Sequence, residues 1–145
     1  MTTITTFMTD DHRRCDDLLA TAEQHAQQDD WDAAVAATLA FADAIEHHFQ
    51  MEERILFPEF ERQTGMAQGP TFVMREEHRQ MRDLLAQLRA AVDARSRDDY
   101  LDTTETLLIM IQQHNMKEEG MLYPFTDDRL NNVAEVIGAM RQVPA

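Results

Sequence analysis

Apolar residues recur along most of this chain at steps of three and four positions, which is the spacing of one face of an α-helix. In the first such stretch, Met8, Cys15, Leu19 and Ala22 fall on a single helical face. Polar stretches, some with Gly and Pro, separate five patterns of this kind and predict four long helices followed by a short one. The predicted helices cover about 6–28, 32–63, 71–95, 100–123 and 129–141.

Proline interrupts the second predicted helix and follows the fourth. Pro58 lacks a backbone donor and clashes with the turn before it, which predicts a kink or an end of the helix near Phe57. The apolar faces of these two helices include Leu39 and Met121, which we expect in the core. The clearest loop lies at 65–70, where two Gly and one Pro occur together.

Long helices with short connections are typical of a helical bundle. The connections are too short to carry a parallel crossover, so neighbouring helices should run in opposite directions. Four Gly and four Pro are too few for a turn-rich β fold, and the many Ala, Leu, Met, Glu and Gln residues favour helix. We predict one all-α domain over 1–145, an antiparallel up-down-up-down four-helix bundle with a short C-terminal fifth helix.

A shift of 66 residues lays the chain on itself, so that residues of the same chemical type coincide. The halves of this internal duplication extend over about 8–64 and 74–126, and 127–142 forms the short terminal helix. We expect that helix to cover one end of the bundle or to contact a second subunit in a homodimer. The coinciding pairs are His12 with His78, His48 with His114, Glu52 with Glu118, Glu53 with Glu119, Phe57 with Tyr123, and Pro58 with Pro124.

Acidic residues outnumber basic residues by 27 to 13, which gives a formal net charge of −14. A nucleic acid or an anionic membrane would need clustered Lys and Arg to neutralise phosphate, so neither partner is expected. The single cysteine, Cys15, excludes an internal disulfide. The N-terminal residues lack a signal-peptide pattern and no run of about 18 apolar residues occurs, so we predict a cytoplasmic protein.

Two predicted helices combine a histidine with a glutamate on one face. His48 and Glu52 are four residues apart, and so are His114 and Glu118. Residues at this spacing project from the same side of a helix. Because their neighbours on those faces are apolar, we expect both pairs to point into the core. A lone buried carboxylate is costly, and a bound cation would remove that cost.

His12 and His78 also lie on apolar faces, those of the first and third predicted helices. The alternatives are a hydrogen-bonded core histidine and a surface ion pair between residues four apart. The recurrence of four inward histidines and two inward glutamates at a fixed shift favours a metal site instead. The predicted metal ligands are His12, His48, Glu52, His78, His114 and Glu118.

Imidazole and carboxylate ligands without a thiolate suit iron, zinc or manganese. Six ligands exceed the four that one tetrahedral zinc ion takes. They suit two metals that share bridging carboxylates, as in carboxylate-bridged helical bundles. With about six positions on each metal, these ligands and a bridging oxide or hydroxide leave about one position per metal open for a small molecule.

Several neighbouring side chains are interpreted differently. His25 and His47 have no histidine at the matching position of the other half, and we expect both to face solvent. Glu53 and Glu119 are rotated about 100° from the adjacent glutamates. We expect them beside the ligands or at the surface, although either could replace its neighbour as a ligand. Cys15 is interpreted as a core residue.

The order of these residues, with a Leu-aromatic-Pro sequence at 56–58 and again at 122–124, resembles that of the hemerythrin-like HHE cation-binding domains. The resemblance covers nearly the whole chain. It implies a four-helix bundle with two non-haem iron ions bridged by two carboxylates. The ligands that it implies are again His12, His48, Glu52, His78, His114 and Glu118.

Two positions depart from the pattern of the oxygen carriers in this family. The carriers have a further histidine one turn after the third-helix ligand, where this chain has Arg82. They also end with His-x-x-x-x-Asp, whereas Glu118 follows His114 by four residues. The set of four histidines and two glutamates is more similar to the bacterial iron–sulfur repair proteins of the superfamily. Arg82 is either a surface residue or a group that steadies a bound anion.

Three hypotheses about function follow from these residues. The first is a di-iron protein that binds or reacts with a small diatomic ligand, such as oxygen or nitric oxide, or with peroxide, in sensing, detoxification or iron handling. The second is a metal-stabilised binding or regulatory module without redox turnover. The third is an oxygenase or oxidase, which would need a substrate pocket. The sequence leaves open whether the protein is an enzyme.

Overall fold

A computed structural model describes all 145 residues as helices joined by short links, with no β-strand. The predicted all-α class is therefore confirmed, and the long helices pack against one another in a bundle. The α-helices are α1 (Ile4–Gln27), α2 (Trp31–Met51), α3 (Phe57–Thr64), α4 (Pro70–Asp93), α5 (Arg97–Lys117), α6 (Tyr123–Arg129) and α7 (Val133–Arg141). Two π-helical turns, π1 (Glu52–Leu56) and π2 (Glu118–Leu122), connect α2 to α3 and α5 to α6. None of the helices combines the length and apolar composition that a membrane span requires.

The bounds of the helices repeat with the same 66-residue shift as the sequence. This shift lays α1 on α4, α2 on α5 and π1 on π2, with the same first and last positions in each pair. The links also match, because Asp29 in the first and Arg95 in the second have left-handed backbone conformations, with φ of 56° and 52°. α1 packs mainly on α2, and α4 mainly on α5, while contacts of α2 with α4 and of α1 with α5 join the halves.

Pro58 does not end the helical segment that begins with α2. Helical backbone continues through π1 and α3 to Thr64. The disturbance that was expected from the proline falls in the preceding turn, π1. There the N–H of Phe57 donates to the carbonyl of Glu52, five residues earlier, instead of the residue four earlier. The wider turn accommodates both the proline ring and its missing donor. Pro124 follows π2 in the same way.

Two hydrophobic clusters fill the bundle on either side of a polar layer. The link-end cluster includes Phe41, Leu88 and Tyr100 and lies toward the α1–α2 and α4–α5 links. The π-end cluster surrounds the two π turns and includes Phe57 and Phe60. Along each long helix, a histidine lies at the boundary between the two clusters. These histidines are His12 in α1, His48 in α2, His78 in α4 and His114 in α5.

Two side chains that were predicted in the core are exposed. Leu39 is 45% exposed, because Thr38 takes the inward position and its hydroxyl lies 2.7 Å from that of Tyr100. Met121 is 72% exposed and lies within π2. The extra residue in a π turn rotates the following side chains away from the face that an α-helical count assigns to them.

The terminal helix α7 covers the π end of the bundle, where three of its apolar side chains join the π-end cluster. Beyond α7, the carbonyl of Val143 accepts a hydrogen bond from Nε2 of His47 at 3.0 Å. His47 is therefore half-buried, and the prediction that it faces solvent is wrong. His25 is also partly covered, with its side chain 34% exposed and its Nδ1 buried.

The start of α1 is fixed to α6. Thr3 forms a capping box with the first turn of α1. The carboxylate of Asp127 accepts hydrogen bonds from the backbone N–H of Ile4 at 2.7 Å and of Thr5 at 3.0 Å. It also accepts one from the hydroxyl of Thr5 at 2.7 Å. His12 lies about two turns further along α1, so this contact helps to position it.

Candidate metal centre

The six side chains that the sequence predicts as ligands are brought together in the polar layer. All of them are buried, with exposed fractions from 0% to 4%. The ring centroids of His12 and His48 are 4.5 Å apart, and those of His78 and His114 are 5.1 Å apart. Each half of the chain thus contributes one pair of adjacent imidazoles from its two long helices.

The candidate ligand atoms fall into two groups, and within each group they lie within 4.8 Å of one another. Glu118 belongs to both groups. Its Oε1 lies 3.1 Å from Nε2 of His12 and 3.2 Å from Nε2 of His114. A carboxylate between two imidazole pairs is well placed to bridge two cations. The groups are Glu52, His78, His114 and Glu118, and His12, His48 and Glu118.

Two buried atoms at the centre of the layer, Nε2 of His114 and Oε2 of Glu118, make no hydrogen bond, although Oε1 of Glu118 lies 3.2 Å from the first of them. A buried polar atom left without a partner costs about 1–3 kcal/mol. A cation would give both atoms a partner, and it would draw on imidazole nitrogen and carboxylate oxygen, which are common metal ligands. The residues of the layer therefore fit a bound metal.

Each histidine directs its other ring nitrogen at a second carboxylate. Nδ1 of His78 lies 2.6 Å from Oε2 of Glu53, and Nδ1 of His12 lies 2.6 Å from Oε2 of Glu119. Such a carboxylate favours a proton on Nδ1, so that Nε2 is the nitrogen that a cation would use, as is usual behind metal-binding histidines. Glu53 and Glu119 therefore lie beside the candidate ligands, which is one of the positions expected for them.

The sequence interpretation missed two further carboxylates. Nδ1 of His48 lies 2.8 Å from Oδ2 of Asp11, and Nδ1 of His114 lies 2.8 Å from Oε1 of Glu77. Each acid lies on the helix that precedes the helix of its histidine, Asp11 on α1 and Glu77 on α4. The repeat did contain a signal, because an acidic residue immediately precedes the cluster histidine of α1 and that of α4.

Basic side chains hold three of these four carboxylates. Nη1 of Arg82 lies 2.9 Å from Oε2 of Glu53, and its Nε lies 3.1 Å from the carboxylate of Glu46. The guanidinium also covers the ring of Phe49, 5.2 Å from its centroid. Arg82 is thus neither a free surface group nor directed at the centre, but fixes Glu53. The other two pairs are Arg14 with Asp11 and Lys117 with Glu77.

The carboxylates raise the pKa of His12 and of His114. Burial alone lowers the pKa of His12, but the hydrogen bond and charge of Glu118, with smaller contributions from Glu52 and Glu119, raise it to about 9. The pKa of His114 also rises to about 9, against the effect of burial and chiefly through Glu118. A cation that binds to these imidazoles must displace their protons, so cation binding and proton release are linked.

The two buried glutamates affect each other. Burial and the adjacent charge of Glu118 raise the pKa of Glu52. Burial also acts to raise the pKa of Glu118, but the positive charge of His114 and hydrogen bonds from its neighbours hold it well below its usual range. A cation between the carboxylates would remove the repulsion that raises the pKa of Glu52.

The hydroxyl of Tyr123 lies within the polar layer, and the sequence interpretation gave it no role. Its oxygen is 2.7 Å from Oε2 of Glu52 and 2.9 Å from Oε1 of Glu118. It is also 3.2 Å from Nε2 of His12 and 3.3 Å from Nε2 of His48. Tyr123 follows Glu118 by five residues, the spacing that a π turn brings into line. The matching residue of the other half is Phe57, which has no hydroxyl, so the repeat gave no signal for this group.

A cavity of about 10 Å³ adjoins the cluster, which is room for about one water-sized molecule. Three cluster histidines form part of its wall. Burial, helped by the charge of Asp11, raises the pKa of Cys15 to about 12, so this thiol stays neutral and packs as a core residue. The remaining walls are formed by Cys15, Asp16, Ile45, Phe49, Met81, Ile111 and Asn115.

Comparison with known proteins agrees with this geometry. The family described as Hemerythrin HHE cation binding domain matches residues 3–126. The matched region contains both π turns, all six buried side chains of the cluster and Tyr123. Neither the curated proteins nor the solved structures include a match to the chain. Because the family match covers most of the sequence, the resemblance is confirmed, and the chain belongs to the hemerythrin HHE cation-binding domain family.

Proposed function

We propose that this protein holds two iron ions in the buried cluster and that it binds or reacts with a small diatomic ligand, such as oxygen or nitric oxide, or with peroxide. The observation that carries the proposal is the division of the ligand atoms into two groups that share Glu118. Two cations with a common carboxylate could use all six side chains, as in carboxylate-bridged bundles. The proposed ligands are His12, His48, Glu52, His78, His114 and Glu118.

The donor atoms are compatible with iron. The layer offers imidazole nitrogen and carboxylate oxygen, while the one thiol, Cys15, is neutral and belongs to the cavity wall. Such donors suit iron, zinc and manganese, and six of them exceed the needs of a single tetrahedral zinc ion. When bound, iron would supply a change of oxidation state and about one open position per metal for a small ligand. Zinc and manganese remain the alternatives that metal analysis separates.

The size of the cavity supports a small ligand. A space of about 10 Å³ has room for about one water-sized molecule and none for an organic substrate. An oxygenase acting on a larger molecule is therefore disfavoured. Half of the wall residues are apolar, and the hydrogen bonds between histidines and carboxylates keep the rings in fixed positions. The protein thus orients the ligand atoms.

We also infer the up-down-up-down order of the bundle and its origin as one duplicated domain. The links at 28–30 and 94–96 have three residues each, which is too short for a parallel return. An antiparallel hairpin brings His12 beside His48, and the same hairpin in the second half brings His78 beside His114. Two copies of one hairpin, about 8–64 and 74–126, would then assemble one metal position each.

Metal analysis of protein purified from its own host without added iron tests the metal assignment. We expect two irons per chain, and one zinc would contradict the proposal. His48→Ala should lose metal, whereas His25→Ala removes a partly covered histidine outside the polar layer and should not. Oxygen or nitric oxide added to the anaerobically reduced protein should change its visible spectrum. No change with either would rule out the proposed ligands.

The second candidate is a metal-stabilised binding or regulatory module without redox turnover. It draws on the same buried carboxylates and unpartnered atoms, because a cation that satisfies them also stabilises the fold. Assays of turnover with oxygen, nitric oxide and peroxide separate the two candidates. The module should retain its metal and show no turnover with any of the three, while its melting temperature falls when the metal is removed.

A further inference from the structure

The two halves of the cluster differ at one aromatic position. Tyr123 directly follows π2, and Phe57 directly follows π1. Both rings are fully buried. The ring of Phe57 stacks on that of His78 at 5.7 Å and 22°, and the ring of Tyr123 stacks on that of His12 at 5.6 Å and 30°. The rings therefore occupy equivalent places, and the hydroxyl of Tyr123 is what makes the halves unequal.

This hydroxyl is surrounded by proposed metal ligands. The four side chains within 3.3 Å of it all belong to the cluster, namely Glu52, Glu118, His12 and His48. A phenol donates one hydrogen bond, and its oxygen can also accept from an imidazole N–H. Glu52 and Glu118 therefore compete for a single proton, and one carboxylate oxygen is left beside the phenol oxygen without a proton between them.

The group of ligand atoms on the side of Tyr123 is also the smaller one. The group around His78 and His114 has four candidate ligands, whereas the group around His12 and His48 has three. Two irons of similar coordination number would therefore need a further donor at the second group. The phenol oxygen lies within 3.3 Å of both imidazoles of that group.

We propose that Tyr123 is a seventh metal-binding residue, whose phenol oxygen coordinates the iron held by His12 and His48 and makes the two iron positions inequivalent. This inference rests on the proposed di-iron site and extends it. Coordination breaks the O–H bond of the phenol, forms an oxygen–iron bond and releases the proton to solvent, with no change of oxidation state. The group around His78 and His114 has the ring of Phe57 at the equivalent place, which offers no such ligand.

The charge state of the phenol depends on whether the layer holds a cation. Burial and the charges of Glu118 and Glu52 raise the pKa of Tyr123 well above its usual range, so in the metal-free protein the phenol stays neutral. A cation in the layer reverses that balance, because it favours the anionic form of any oxygen that it contacts. The phenol is thus a hydrogen-bond donor without metal and a ligand with it.

Visible absorption and resonance Raman spectra of the iron(III) form of the protein test this assignment. Phenolate bound to iron(III) produces a charge-transfer band in the visible and resonance-enhanced Raman bands of the phenolate ring. The chain contains two tyrosines. Tyr100 belongs to the link-end cluster, with its hydroxyl 2.7 Å from that of Thr38, and Tyr100→Phe is therefore the matched control. We expect the ring bands in the wild type and in Tyr100→Phe, and their loss in Tyr123→Phe.

Iron content is measured first, so that failure of this inference is distinguishable from failure of the proposed function. A protein that binds no iron contradicts the proposed function. Two bound irons without phenolate ring bands, or ring bands that persist in Tyr123→Phe, overturn the assignment of Tyr123 alone. Should Tyr123→Phe fail to fold, Tyr100→Phe still decides, because Tyr123 is then the one tyrosine left to give the bands.

Discussion

Oε2 of Glu53 lies 2.6 Å from Nδ1 of His78, although the two residues belong to different halves of the chain. Glu119 makes the same contact with His12 in the opposite direction. The halves thus exchange carboxylates, and each holds an imidazole of the other from behind while Nε2 faces the centre. The orientation of His12 and His78 therefore depends on the assembled bundle, whereas His48 and His114 are held by carboxylates of their own halves.

We expect Glu53→Ala to weaken metal binding by about 10–100-fold. The substitution removes the acceptor that keeps the proton of His78 on Nδ1, so the ring loses both its orientation and part of its basicity. Competition with a chelator measures the affinity. Glu76→Ala is the matched control, because Glu76 lies on the same helix as His78 but pairs only with a surface arginine. Equal affinities of the two variants would contradict this role of Glu53.

The metal-free protein should lose stability as the pH rises from about 6.5 to about 9. His12 and His114 have pKa values of about 9 in the fold against 6.5 in the unfolded chain. A raised histidine pKa contributes stability that is fully present below pH 6.5 and is lost as the pH passes through 9. Metal affinity should rise over the same interval, because the ligand is the neutral imidazole. Denaturant unfolding measures the stability and metal titration measures the affinity, each at several pH values. If stability and metal affinity changed in the same direction, the proposed link between histidine protonation and metal binding would be refuted.

The sequence was sufficient for the six buried side chains because they lie on α-helical faces up to the start of each π turn. His48 and Glu52 share a face at a spacing of four, and His114 and Glu118 do the same. In this part of the chain an α-helical count gives the correct direction. The 66-residue repeat then distinguished a shared cluster from isolated core histidines.

From the π turns onward the same count was insufficient. Met121 was expected in the core and is exposed, while Tyr123 points into the cluster. The change from a four-residue to a five-residue hydrogen-bond step is a response to the following proline and to packing around the site, and apolar periodicity does not encode it. Asp11 was missed for a related reason, because its contact with His48 crosses from one helix to another and depends on how the helices pack.

Cys15 should resist alkylation in the folded protein. Its side chain is 5% exposed, and burial raises the pKa of the thiol to about 12, so the reactive thiolate is scarce at neutral pH. We expect iodoacetamide to leave the native protein unmodified at pH 7.5 and to add one group per chain in denaturant. Mass spectrometry counts the added groups. Rapid labelling of the native protein would show that the cavity wall opens to solvent.

Asp127→Ala should lower the free energy of unfolding by about 0.5–2 kcal/mol, the range found for lost helix caps. The carboxylate of Asp127 accepts the first two backbone N–H groups of α1 and ties this helix to α6. Asp128→Ala is the matched control, because the side chain of Asp128 is 78% exposed and contacts only the adjacent arginine. Urea unfolding of the two variants compares them. A loss shared by both would mean that the contact with α1 is not what stabilises the protein.

Filling the cavity should slow ligand binding without removing the metal. Ile111→Phe places a larger ring in a space of about 10 Å³, and overpacking of this kind costs about 1–3 kcal/mol. If a ligand must displace that ring on entry, the same energy corresponds to binding that is roughly 5- to 150-fold slower. Met81→Leu changes another wall residue with little change of volume and is the control. Stopped-flow mixing of the reduced protein with nitric oxide measures the rate, and metal analysis confirms that both variants are loaded. Unchanged rates in a fully loaded Ile111→Phe protein would show that the ligand reaches the cluster by another route.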